Sequence, residues 1–112
     1  LKAKLLIALL LALGLATACS EMVSHPMDMT QAVENATSKA DHEALARHYE
    51  EAAREMQLKA DEHKKLLSQY EAKGYLYGKQ ALDLQSHCRR LINAYEKAAE
   101  ENLEMARLHH QL

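Results

Sequence analysis

From Ser38 to Ala72, and again from Lys79 to the C-terminus, apolar and small residues recur every three or four positions with no Gly or Pro between them. That period belongs to helices. Ser38 followed by Asp41 has the spacing of a capping box and marks the first start. Between the two runs lies KGYLYGK, where Gly74 and Gly78 bracket two tyrosines. A glycine past a helix end supplies the left-handed conformation that closes it. The pattern therefore predicts an all-α chain built as a long antiparallel two-helix hairpin: helix 38–73, turn 74–78, helix 79–111. At 1.5 Å per residue each helix is roughly 50 Å long.

A seven-residue reading sorts the first helix into three inward columns. They are His42, Tyr49, Met56, His63 and Tyr70; then Leu45, Ala52, Lys59 and Leu66; then Ala46, Ala53, Ala60 and Leu67. The second helix gives Ala81, Cys88, Tyr95, Asn102 and His109; then Leu84, Leu91, Ala98, Met105 and Leu112; then Ile92, Ala99 and Ala106. Three columns make a face wider than a two-stranded seam. One hairpin does not bury two such faces, so the expected assembly is a homodimer in which two hairpins pair into a four-helix bundle. The helices also resemble each other: HYEEAAREMQLKADEH (48–63) aligns with AYEKAAEENLEMARLH (94–109). Duplication and convergence of Ala/Glu-rich helices explain this equally well.

The first column carries the chemistry. A core column of a bundle is ordinarily Leu or Ile, and here it holds His, Tyr, Met, Cys and Asn. Polar groups at such positions cost stability unless they are satisfied. Folding the hairpin about its turn sets residues level when their numbers total about 151. His63 then meets Cys88, Met56 meets Tyr95, Tyr49 meets Asn102 and His42 meets His109. Two candidate clusters follow. His42, Met105 and His109, with His110 nearby, lie at the end away from the turn; His63, Cys88 and His87 lie nearer to it. Imidazole with thioether or thiolate suits copper or zinc. Core packing and the setting of register are the ordinary uses of the same residues, and no His-x₃-His or Cys-x₂-Cys chelate is visible. Haem ranks last, since no Cys-x-x-Cys-His is present. Glu-x-x-His pairs, which a di-iron bundle uses, are missing too. The acids Glu50, Glu51, Glu55, Asp61, Glu62, Glu96, Glu100, Glu101 and Glu104 read as a solvated outer face. The YLY of the turn is either an exposed docking tip or a cap on the bundle end.

The N-terminus sets the address. Lys2 and Lys4 precede an apolar run from Leu5 to Leu15, then Ala16-Thr17-Ala18 and Cys19. A charged start, a short apolar core and small residues before a cleavage point make a secretory signal over 1–18. The run is shorter than the ~20 residues of a spanning helix. The placement of Cys19 resembles the lipobox of bacterial lipoproteins, with Ala16 where that family prefers leucine. The resemblance implies diacylation of Cys19, cleavage before it and, with Ser20 following, anchorage of the exported chain to the outer membrane on its periplasmic side. Ala-Thr-Ala also suits ordinary signal peptidase. Residues 19–37 read as a lipidated tether, within which Asp28 and Gln31 have capping-box spacing for a short helix.

Charge and composition narrow the function. The 112 residues hold 14 Lys and Arg against 16 Asp and Glu. Removing 1–18 takes away two lysines and no acid, leaving 12 against 16, a net charge of −4. An acidic chain is a poor partner for nucleic acid. With no Phe and no Trp, the core is thin, and oligomerisation is a common remedy. With Cys19 lipidated, Cys88 has no partner within its own chain, which leaves an intermolecular disulfide, a metal ligand or a shielded thiol. The body also resembles, in composition and helix pattern, small helical histidine-rich metal-binding proteins of bacterial periplasms, without their dense histidine repeats. The tether stretch HPMDM adds His25, Met27 and Met29 to that picture. The reading is a non-enzymatic helical interaction module of the envelope with a possible protein partner there; the alternative is a periplasmic copper- or zinc-binding protein.

Overall fold

The computed structural model describes residues 27–112. The signal segment, Cys19 and His25 lie outside the described residues. The described part is all-α: α1 (Met29–Asn35), α2 (Lys39–Ala72) and α3 (Ala81–His110), with two 3₁₀ turns, Gly74–Leu76 and Gly78–Gln80, between the long helices. The two long helices pack against each other as an antiparallel hairpin.

Both early starts are capped as their residues require. The Asp28 carboxylate accepts from the Gln31 amide at 3.2 Å and opens α1 inside the segment read as a tether. Ser38 Oγ accepts from the Asp41 amide at 3.1 Å, and Asp41 accepts from the Ser38 and Thr37 amides at 2.9 and 3.0 Å. These bonds satisfy donors that a helix start otherwise leaves open. They also hold the Asp41 carboxyl down to about 2 from its ordinary 3.8.

The turn differs from the expectation. Gly74 does not close α2 in a left-handed conformation; Gly78, at φ +56°, is the residue with that geometry. Helix α2 ends at Ala72, and the N–H of the next residue, Lys73, donates to Gln69 O. The chain then winds through the two 3₁₀ turns, so α3 starts at Ala81 rather than Lys79. One of the orphan carbonyls of α2 is covered from the other helix, where Gln85 Nε2 donates to Tyr70 O at 3.2 Å. Of the YLY tip, Tyr77 packs edge-on against Tyr70, 5.5 Å between ring centres. Tyr75 points away from the body and is 81% exposed.

The core is a narrow seam. Its buried residues are Leu45, Ala46, Ala53 and Ala60 from α2, and Cys88, Ile92, Ala99 and Ala106 from α3. In the antiparallel register Ala46 is level with Ala106, Ala53 with Ala99 and Ala60 with Ile92. Small residues at heptad spacing on both helices let the backbones approach closely, at the cost of burying little apolar area. Two different flanks border this seam. On one, Lys64 pairs with Glu96 at 2.6 Å and Arg89 with Glu71 at 2.8 Å. On the other lies the His/Tyr/Met/Cys column, half-buried, and beyond it an apolar strip that stays open. Leu91 is 41% and Met105 38% exposed, and Leu66 and Leu112 are exposed beside them. Helix α1 packs on α2 near the start of this strip, where Met27, Ala32 and Asn35 line a cavity with Asp41, Ala44 and Leu45.

Candidate functional site

The polar column ends in a histidine pair. His42 stands in the turn that the Ser38–Asp41 box immobilises, and His109 stands in the last turn of α3. Their Nδ1 atoms are 3.1 Å apart, and the rings meet edge to edge, 21° from parallel, with centres 5.3 Å apart. At that distance one Nδ1 carries the proton and the other supplies the lone pair. Tyr49 stacks on His109 at 5.6 Å, within 10° of parallel. Both histidines are half-buried, and Met105, one turn before His109, is 38% exposed.

His110, the next residue round the helix, reaches the opposite flank. Its Nδ1 lies 3.0 Å from Glu43 and its Nε2 2.8 Å from Glu50. The Glu50 carboxylate, and after it Glu43, raises the His110 pKa above its ordinary value, against a smaller opposing effect of desolvation. Both ring nitrogens face oxygens, so the protonated ring is the form that satisfies them. Glu50 and Glu96 therefore do not belong to a merely solvated face; each ties the two long helices together. The signal lay in the heptad column of Glu43, Glu50, Lys64 and Glu71, which runs beside Arg89, Glu96 and His110.

The second cluster is a closed pair. Cys88 is 4% exposed, and its thiol donates to the His63 carbonyl at 3.2 Å. The His63 Nδ1 is 3.8 Å from the sulfur, and the His63 ring stacks on Tyr95. Lys59 places its ammonium 5.8 Å from the centre of the Tyr95 ring. His87 is exposed and takes no part: neighbouring helix residues point about 100° apart, so an inward Cys88 turns it away. Met105 lies on the open strip, one turn before His109.

The structure thus brings together His42 with His109 and His63 with Cys88, the two level pairs of the polar column that the register joined across the seam. Met56 with Tyr95 and Tyr49 with Asn102 were the other two, and here the rings choose differently. Tyr95 meets His63, Tyr49 meets His109, and Asn102 bonds back to Ala98 O in its own helix at 2.8 Å. The reason is side-chain lean. Helical side chains tilt toward the N-terminus, so in an antiparallel pair they tilt toward each other. His63 therefore also meets Tyr95, and Tyr49 meets His109, about one heptad beyond the residue level with each, and Lys64–Glu96 and Glu71–Arg89 pair about as far beyond theirs.

Among the described residues no group of three or more His, Cys, Asp or Glu side chains converges as a metal cage. None of the described helices is long and apolar enough to cross a membrane. No protein-family model matches the chain, and no curated protein or solved structure is significantly similar to it.

Proposed function

We propose that this protein is an exported, lipid-anchored interaction module of the bacterial envelope, tethered through Cys19 to the periplasmic side of the outer membrane. Its work is binding rather than catalysis, and the surface that binds is the open strip of the hairpin. The first occupant of that strip is a second copy, giving the four-helix bundle, and an envelope protein is a further partner of the assembled dimer.

One observation carries this reading: the apolar columns around Leu66, Leu91 and Met105 remain exposed beside a core made mostly of alanine. Five of the eight buried residues are Ala, too little apolar area for a hairpin of this length to stand alone. The strip carries one cation, Lys59, and that is engaged with Tyr95. The charges of the other flank are paired inside the hairpin. What is left to cover is apolar apart from Lys59, and another hairpin's matching strip fits it. The lipid anchor rests on the Leu5–Cys19 pattern, and mass spectrometry of the N-terminal peptide reads it directly. The molar mass of the purified chain tests the pairing. A dimer that becomes a monomer on Leu91→Glu supports it, and a monomeric parent chain contradicts it.

A second reading gives the inner column a copper or zinc ion. The contact that favours it is the His42–His109 pair, in which two ring nitrogens from opposite helices converge.

A further inference from the structure

We propose that His42 and His109 together form a two-histidine site for a closed-shell, borderline-soft ion, Zn(II), bound through their Nδ1 atoms at the end of the hairpin remote from the turn. This rests on the second, metal-binding reading and commits it to one of the two clusters. The distance is the first argument. Two nitrogens bound about 2.0–2.1 Å from one tetrahedral ion lie about 3.3–3.4 Å apart. The two Nδ1 atoms already stand 3.1 Å apart, so their spacing opens by only a few tenths of an ångström for an ion, while each ring turns to point its lone pair at it. The ring that holds its proton on Nδ1 moves it to Nε2. The ion takes the place of the shared hydrogen.

Pre-organisation is the second argument. His42 sits on a turn fixed by the reciprocal Ser38–Asp41 bonds. The plane of His109 is held by the stacked Tyr49 ring. Supports of this kind behind a ligand tune affinity. In the remaining coordination positions water, the Met105 thioether or a donor from a second copy completes the ion.

Selectivity within the molecule is the third. The Cys88 thiol is spent on the His63 carbonyl and closed from solvent, so an ion there displaces a hydrogen bond and has no entry path. Both ring nitrogens of His110 are taken up by Glu43 and Glu50 on the opposite flank, which leaves neither free for an ion. In the His42–His109 pair two ring nitrogens from opposite helices already meet across one shared hydrogen.

The test is calorimetric titration of the full chain with zinc sulfate, beside His42→Gln, His109→Gln, Cys88→Ser and His87→Gln. Glutamine keeps a polar, helix-compatible side chain, and circular dichroism confirms that each variant is folded. The site predicts one zinc per chain. It also predicts an affinity loss of at least about ten-fold in His42→Gln and in His109→Gln, with less than about two-fold change in Cys88→Ser and His87→Gln. Uptake that survives in His42→Gln and His109→Gln but is lost in Cys88→Ser overturns this site and leaves the metal reading with the other cluster. Uptake unchanged in every variant overturns it as adventitious surface binding. No uptake by the parent chain overturns the site and the metal reading together.

Discussion

The Cys88 thiol donates to the His63 carbonyl at 3.2 Å and is nearly closed from solvent. An unpaired cysteine is open to reaction only if its sulfur is accessible; here the seam shields it. In a Cys19→Ala chain the Cys88 thiol should react with Ellman's reagent roughly ten-fold or more slowly in the native state than after unfolding. Equal rates would mean that the seam does not hold it. The level pairs His42–His109 and His63–Cys88 were legible in the sequence, because a heptad column and an antiparallel turn fix which Cα atoms are level. The ring partners were not, because pairing side chains also requires their tilt. His110 escaped for another reason: a histidine next to a column residue points to the other flank, where its two glutamates stand.

At the scale of the elements, starts were legible and the turn was not. Ser38 with Asp41, and Asp28 with Gln31, announce helices because capping is local chemistry. The exit from the turn depends on how two 3₁₀ turns and the left-handed Gly78 pass the chain between helices, and no short motif encodes that. Removing the cap by Ser38→Ala should cost about 1 kcal/mol, read from thermal unfolding of the helical signal. Asp41 adds a pH dependence with a definite sign. Its folded pKa, about 2, lies below its ordinary 3.8. Its contribution is therefore fully present above pH 4 and disappears as the pH falls from about 4 to about 2. The melting temperatures of the parent and Asp41→Asn should differ above pH 4 and converge below it. The alanine seam makes a second demand. Ala53 and Ala99 are level and buried, so Ala99→Leu forces the helices apart and should destabilise the chain by about 1–3 kcal/mol. A neutral or stabilising effect would show that the backbones are not in close approach.

For the whole molecule, the hairpin separates two kinds of surface along its length. One flank is laced by Glu43, Glu50 and His110, by Lys64 and Glu96, and by Glu71 and Arg89. Exposed pairs of this kind contribute little stability each, but they close that side with matched charge. The other flank is open and apolar, and the exposed tip carries Tyr75 and Leu82, the latter 76% exposed. That the chain is a two-helix hairpin was readable from its breaks and periods. What covers the open strip was not, since a three-column face says only that something must pack on it. The most direct test places single cysteines along the strip, Leu66→Cys, Leu91→Cys, Ala98→Cys and Met105→Cys, in a Cys88→Ser chain. Each variant is exposed to a short bismaleimide in the envelope of the expressing bacterium, beside Leu58→Cys on the outer face of α2. Pairing through the strip predicts cross-linked dimers from the strip positions and not from position 58. Cross-linking that is absent from every strip position, or equal at position 58, would contradict it.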